Sequence, residues 1–158
     1  MTTATTTERV PRLDEQLCFA LYAASRAVTS AYAPILAPMG VTYPQYLALM
    51  VLWEEDSLSV KRLGERLELD SGTLTPLLKR LEAQGLVTRR RDSEDERVVR
   101  VELTSAGKAL RKKAAGIPKQ LACHLGASLK DVARLRDELR KLTGQVRASC
   151  AASADGEE

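Results

Sequence analysis

The residues of this chain with the potential for chemistry fall into two groups: donors for anions, and thiols. Thr73, Thr75, Pro76, Lys79 and Arg80 share one side of a short stretch whose other side is leucine, and Ser71 lies just before them. Short hydroxyls can hydrogen-bond phosphates or base edges, and Lys and Arg can reach phosphates or guanine. Taken alone, Lys79 and Arg80 read equally well as a solvated helix face. Four further arginines, Arg89, Arg90, Arg91 and Arg97, cluster beside this stretch, with Asp95 among them. The thiols are Cys18, Cys123 and Cys150. They form no C-x-x-C pair, and His124 cannot complete a usual zinc set with them. Neither a metal nor another cofactor is expected. A sparse, odd count argues against a secreted disulfide scaffold. No acid/base pair suggests an enzyme. A cysteine on an apolar helical stripe is, by default, a packing residue.

The anion donors need a scaffold, and the segment from Ser59 to Thr104 supplies one. Val60, Leu63 and Leu67 line a short helical pattern, and a tight turn follows through Glu68, Leu69, Asp70 and Ser71. Leu74, Leu77, Leu78 and Leu81 then recur at i, i+3, i+4 and i+7, one buried face of a second helix. Pro76 conflicts with a helix interior. Starting the helix near Thr73 puts Pro76 in the first turn, with Asp70, Ser71 or Thr73 as cap. Gly85 ends it. Two strand-like runs follow, Leu86 to Arg90 and Arg97 to Leu103, with Val99, Val101 and Leu103 alternating against Arg100 and Glu102. Two helices, a sharp turn and a β-hairpin make a winged helix-turn-helix, which places its second helix in the major groove of DNA.

The rest of the chain reads as helix. Its fold class is mainly α with a small β-hairpin wing. Residues 1–10 are Thr-rich and expected to be disordered. Leu13, Leu17, Leu21, Ala24, Val28 and Ala31 predict a first helix of ~20 residues, ended by Pro34, Pro38 and Gly40. A largely buried helix follows from Tyr43 or Pro44 to about Glu54. Beyond the wing, Thr104 and Ser105 cap a helix that Pro118 should kink or break. Val132, Leu135, Leu139, Leu142 and Val146 give the last helix, to about Ala148, the spacing of a helix–helix seam. The tail over 149–158 is expected to be disordered. This divides the chain into a winged domain over 43–103 and a helical region over 11–42 and 104–148. The terminal helices have stripes that want partners, so a homodimer is expected, and a two-fold dimer suits operator DNA with inverted-repeat half-sites.

Net charge is +3 over 158 residues, which says little. From Lys61 to Lys113, however, there are 14 Lys or Arg against 9 Asp or Glu, so the basic excess sits on the winged block. The N-terminus lacks a signal-peptide core and the longest apolar run is too short to span a membrane, so a cytoplasmic location is expected.

The run Asp95-Glu96-Arg97-Val98-Val99-Arg100-Val101-Glu102-Leu103-Thr104, followed by Gly107, resembles the wing motif of MarR-family transcriptional regulators. Helix order agrees, and the resemblance covers roughly 12–148. The stretches LCFALYAASRAV, GVTYPQYLALMVLWE and LDSGTLTPLLKRLE, with Tyr32, look like the organic hydroperoxide sensors of the OhrR group. That resemblance implies a peroxide-reactive cysteine at Cys18. It also implies tyrosines at Tyr32 and Tyr43 that hydrogen-bond this cysteine, partly across a dimer, and Tyr22, one turn after Cys18, is a further candidate. In a two-cysteine subgroup it implies a resolving cysteine at Cys123, acting between subunits. It implies a repressor that holds DNA when reduced and leaves it when oxidised. Thr73, Thr75, Lys79 and Arg80 would address the major groove and Arg97 a minor groove.

The chemistry is coherent. A cysteine of ordinary pKa, about 8.5, is mostly thiol at neutral pH, and hydrogen bonds to the thiolate favour the reactive form. Attack on a peroxide gives a sulfenic acid, which a second thiol converts to a disulfide. If Cys123 is not that thiol, a small thiol serves instead. The apolar surroundings of Cys18 suit an organic hydroperoxide. Two other readings stand beside this one: a regulator released by a non-covalent small molecule, and a thiol peroxidase, which leaves the winged block unexplained.

Overall fold

The computed structural model describes residues 10–154. Among the described residues, after a 3-10 turn at Leu13–Glu15, seven α-helices and three strands follow in the order α1 (Leu17–Leu36), α2 (Tyr43–Glu54), β1 (Leu58–Ser59), α3 (Val60–Leu67), α4 (Ser71–Ala83), β2 (Val87–Arg91), β3 (Val99–Leu103), α5 (Ser105–Ala114), α6 (Ile117–His124) and α7 (Leu129–Ala154). The sheet order is β1-β3-β2, antiparallel throughout, with Leu58 opposite Val101 and Arg89 also opposite Val101. Among the described residues no single helix is long and apolar enough to cross a membrane.

The core lies under the winged block. Leu49, Leu52, Leu63, Leu74, Leu78, Leu81, Val87 and Val101 are all essentially inaccessible. The leucine stripe of α4 thus packs on α2, α3 and the sheet, which turns the opposite face of α4 outward. Helix ends are set by local chemistry. The Gln45 side chain accepts the Thr42 N–H at 2.8 Å at the start of α2. The Ser59 hydroxyl accepts the Arg62 N–H, and the Thr104 hydroxyl accepts the Gly107 N–H. Gly85, at φ +71°, makes the left-handed turn from α4 into β2.

Gly107 answers to a different constraint. A Cβ there would lie 2.1 Å from the Leu86 carbonyl oxygen and 3.1 Å from Leu103 Cδ2. The start of α5 is therefore pressed onto the hairpin's base, and Trp53 Nε1 donates to the Gly107 carbonyl at 2.9 Å from α2.

Several expectations need correcting. Pro34 lies inside α1, which continues to Leu36 before a 3-10 turn at Ala37–Met39 and a left-handed Gly40. Pro76 is not in the first turn of its helix. Asp70 is the N-cap, its carboxylate accepting both the Thr73 N–H at 2.9 Å and the Thr73 hydroxyl at 2.8 Å, so α4 begins at Ser71. That double acceptor outweighs the proline's preference. The hairpin has a third strand, β1, too short to show periodicity. The expected break near Pro118 falls just before it, at Ala115 and Gly116, and leaves the proline at the start of α6. The last helix runs past Ala148 to Ala154, because the alanine-rich segment there is a good helix former rather than a loose tail. Of the segments expected to be disordered, 1–9 and 155–158 lie outside the described residues.

Candidate DNA interface and thiol site

The outer face of α4 carries the anticipated donors. Ser71, Thr73, Pro76, Lys79 and Arg80 are exposed, and Thr75 is half-buried. Thr73 is partly committed, since its hydroxyl holds the Asp70 carboxylate, and that contact keeps Asp70 below the usual carboxylate range. A groove of about 420 Å³ runs between this helix and the wing, lined by Ser59, Lys61, Thr75, Arg97 and Val98 among others. Lys61, at the start of α3, was missed in the sequence because it stands outside both the hydroxyl cluster and the arginine run.

The wing arginines divide into two sets. Arg90 is exposed on β2 and Arg97 on the loop, where the Asp95 carboxylate accepts from both Arg97 Nε, at 3.0 Å, and Arg97 Nη2, at 3.3 Å. That pair lowers the Asp95 carboxyl and holds the loop arginine outward, as does the Arg97 N–H to Asp95. Arg91 donates to the Glu96 carbonyl across the loop at 2.8 Å. Arg100 pairs with Asp92, and Asp92 also accepts the Glu94 N–H, so its carboxyl is held low. Arg89 is different. The Glu82 carboxylate on α4 accepts from its Nε at 2.9 Å, its Nη2 at 2.7 Å and its backbone N–H at 3.1 Å. Grouping Arg89 with the solvent-facing arginines overlooked Glu82, which lies seven residues back across the turn.

The thiol residues are more dispersed. Cys18, Cys123 and Cys150 are free and exposed. Cys18 stands in the first turn of α1 among exposed apolar side chains, with Leu17 at 60%, Phe19 at 39% and Tyr22 at 57% of full accessibility. The Tyr22 hydroxyl accepts from Arg26 at 3.0 Å, and the guanidinium lies over its ring. Tyr32 and Tyr43 pack ring to ring with centroids 4.5 Å apart, and Tyr46 joins them at 6.0 Å from Tyr32. Tyr46 is also part of the core beneath α2. Burial, reinforced by Tyr43 and Tyr46, pushes Tyr32 up to about 12, and burial also raises Tyr43 and Tyr46. All three phenols therefore stay protonated and able to donate.

One helix separates the thiol from this cluster. Tyr32 stands fourteen positions beyond Cys18 along α1, about 21 Å at the rise of an α-helix. Cys123 does not adjoin Cys18 along the helix either. It lies on α6, whose Leu121 shares a groove with Val28, and Val28 is about 15 Å along α1 from Cys18. A disulfide needs Cα atoms within roughly 7 Å. Exposed apolar residues also stud α7, with Leu129 and Leu135 at 56%, Val146 at 53% and Leu139 at 39%.

Comparison with known proteins gives this arrangement a context. The family described as "Transcriptional regulator SarA/Rot" matches residues 30–114. The chain is 51% identical to the organic hydroperoxide resistance transcriptional regulator of Bacillus subtilis (strain 168), over 83% of this chain and 89% of that protein. It is 52% identical to the HTH-type transcriptional regulator TtmR of Methylorubrum extorquens (strain PA1), over 86% of this chain and 70% of that protein. Among solved structures it resembles AbfR of Staphylococcus epidermidis. Reduced AbfR bound to DNA superposes with a TM-score of 0.71 at 35% identity, covering 85% of this chain and 94% of that one. Disulfide-formed AbfR superposes with a TM-score of 0.60 at 34% identity, covering 87% and 93%. With a winged helix-turn-helix, a donor-lined α4 and relatives that regulate transcription, this chain belongs to the MarR-type transcriptional regulators, in the group of organic hydroperoxide resistance regulators.

Proposed function

We propose that this regulator is a cytoplasmic, homodimeric repressor that holds inverted-repeat operator DNA when reduced and releases it when an organic hydroperoxide oxidises Cys18. The observation that carries the reading is Cys18 itself. It is an exposed thiol on an unpartnered apolar helix face, in a chain half identical to an organic hydroperoxide resistance regulator. The apolar residues of α1 and α7 support a dimer seam, and only a second copy would bring Tyr32 and Tyr43 near Cys18.

The thiolate of Cys18 attacks the peroxide oxygen, forms the S–O bond and releases an alcohol. The Cys123 thiol of the other subunit then displaces water from the sulfenic acid, giving a disulfide. Forming it draws α1 of one copy toward α6 of the other, which shifts the two α4 helices relative to each other. DNA is addressed by Ser71, Thr73, Thr75, Pro76, Lys79 and Arg80 in the major groove and by Arg90, Arg91 and Arg97, with Asp95 orienting Arg97, at the wing.

The test is a gel shift on a duplex selected by the reduced protein from a randomised pool, before and after stoichiometric cumene hydroperoxide. Binding should be lost in the wild type and kept in Cys18→Ser. DNA binding that persists after mass spectrometry verifies Cys18 oxidation sinks the proposal. On non-reducing gels the oxidised protein should run as a crosslinked dimer, absent in Cys123→Ser. A second reading, release by a non-covalent apolar ligand, is favoured by the groove of about 580 Å³ lined by Val28, Leu121, Leu125, Val132, Leu135 and Leu139. On that reading Cys18→Ser responds normally to its inducer.

A further inference from the structure

Arg89 is the wing arginine whose side chain is engaged by the recognition helix rather than by the wing loop. β2 is an edge strand of the β1-β3-β2 sheet. An edge strand leaves backbone donors unpaired unless something covers them. At Arg89 the cover is Glu82: one carboxylate oxygen takes the backbone N–H at 3.1 Å, and the other takes Nε at 2.9 Å and Nη2 at 2.7 Å. The pair is partly shielded, with the Arg89 side chain 25% and the Glu82 side chain 37% accessible. A carboxylate and a guanidinium meeting through two N–H donors have little rotational play. Glu82 lies in the last turn of α4, the helix that carries the DNA donors, and Arg89 lies in the strand that leads into the wing loop.

We propose that Glu82 and Arg89 form a clasp that sets the angle of the wing against the recognition helix, making Arg89 a positioning residue and not a DNA contact. The inference rests on the DNA-binding reading above. It assigns Arg89 a partner in place of the phosphate that its neighbours Arg90 and Arg97 would take. The wing and α4 must reach two grooves of the same duplex at once, so an error in their angle costs one of the two contacts.

Three variants separate the clasp from direct contact. The side-chain amide nitrogen supplied by Arg89→Gln stands the same number of bonds from the backbone as Arg89 Nε, so it can still donate to Glu82 while the charge is gone. Arg89→Glu breaks the clasp by repulsion, and Glu82→Arg with Arg89→Glu reverses it. Affinity is measured on a duplex selected by the wild-type chain from a randomised pool, as a function of salt. Failure of the wild type to select any sequence refutes the DNA-binding reading itself and leaves the clasp without a role.

With the selected duplex, Arg89→Gln should bind within about threefold of wild type and keep its salt slope. Arg89→Glu should lose at least tenfold, and the double reversal should recover most of that loss, as coupled neighbours do. In Arg89→Glu the hydroxyl-radical protection of the minor groove should fade while major-groove methylation protection persists, a split that mere loss of fold does not produce. A salt slope reduced by about one in Arg89→Gln marks a lost phosphate contact and overturns the proposal. So does a double reversal no better than Arg89→Glu. Should Arg89→Glu not fold, the salt slope of Arg89→Gln decides alone.

Discussion

Replacing Gly107 by alanine tests how the helical region is seated on the winged block. The added Cβ would sit 2.1 Å from the Leu86 carbonyl oxygen, where an ordinary carbon–oxygen contact begins near ~3.3 Å. The backbone of α5 and the base of the hairpin at Leu86 must therefore part by about 1.2 Å. That same oxygen accepts the Thr104 N–H at 3.1 Å, and the Gly107 carbonyl accepts Trp53 Nε1 at 2.9 Å, so both bonds stretch together. Overpacking costs about 1–3 kcal/mol and each weakened hydrogen bond up to about 1 kcal/mol, which together come to about 3 kcal/mol. For a chain of this size that lowers the melting temperature by about 6–12 °C. Gly144→Ala is the matched control. It lies within α7 with nothing inside 4 Å of its would-be Cβ, and it falls opposite the stripe formed by Leu135, Leu139, Leu142 and Val146. There the same substitution should raise stability by up to ~1 kcal/mol, since alanine is the better helix former. Thermal unfolding followed by circular dichroism measures both. A Gly107→Ala melt within about 2 °C of wild type would refute the close-approach argument.

Further expectations follow from other sites. Leu139→Asp places a charge on the exposed stripe of α7 and should yield a monomer by light scattering, with the helical circular-dichroism signal kept; an unchanged dimer mass counts against the seam. Tyr32→Phe and Tyr43→Phe each remove a phenol that stays protonated, and should slow Cys18 oxidation about tenfold in a thiol-trapping assay, since hydrogen bonds to charged groups contribute about 1.5–3 kcal/mol. For Asp56, burial alone would raise the carboxyl, but the Leu103 N–H, Lys108 and the Ser57 N–H more than offset it and leave it lowered. Its contribution to stability should thus be present above the ordinary carboxylate pKa and lost as pH falls through the lower folded value. Asp56→Asn should flatten that acid limb in urea titrations at a series of pH values. Trp53→Phe removes the Nε1 donor and should cost about 1 kcal/mol, or about 3 °C in melting temperature.

Most of the winged block could be read from its residues, because Leu74, Leu77, Leu78 and Leu81 repeat strongly and Val99, Val101 and Leu103 alternate over a full strand. Leu58 and Ser59 could not be recognised as a strand, since two residues carry no period and pair only because β3 is already in place. Pro76 misled the helix start because proline's rules are local, whereas the Asp70 carboxylate, with two Thr73 donors, fixes the first turn. The segment after Ala148 looked like a tail from its small residues, yet alanine on the end of a formed helix simply extends it. At the site, residue type identified candidate donors but not their commitments. Nothing in the run RRR distinguishes Arg89, held by Glu82, from Arg90, which faces solvent. The tyrosine cluster was half visible, since Tyr46 falls on the buried side of α2 and reads as core until Tyr32 is seen beside it.

The length of α1 bears on when such a regulator can respond. With Cys18 at one end of a continuous helix and Tyr32 at the other, a solitary chain has no way to fold the thiol onto its phenols. On the proposed reading, a newly made chain is blind to peroxide until it meets a second one. Sensitivity then rises with the square of chain concentration while pairing is incomplete. Dilution would silence the sensor and the reading head together, so an unpaired chain neither occupies DNA nor consumes oxidant.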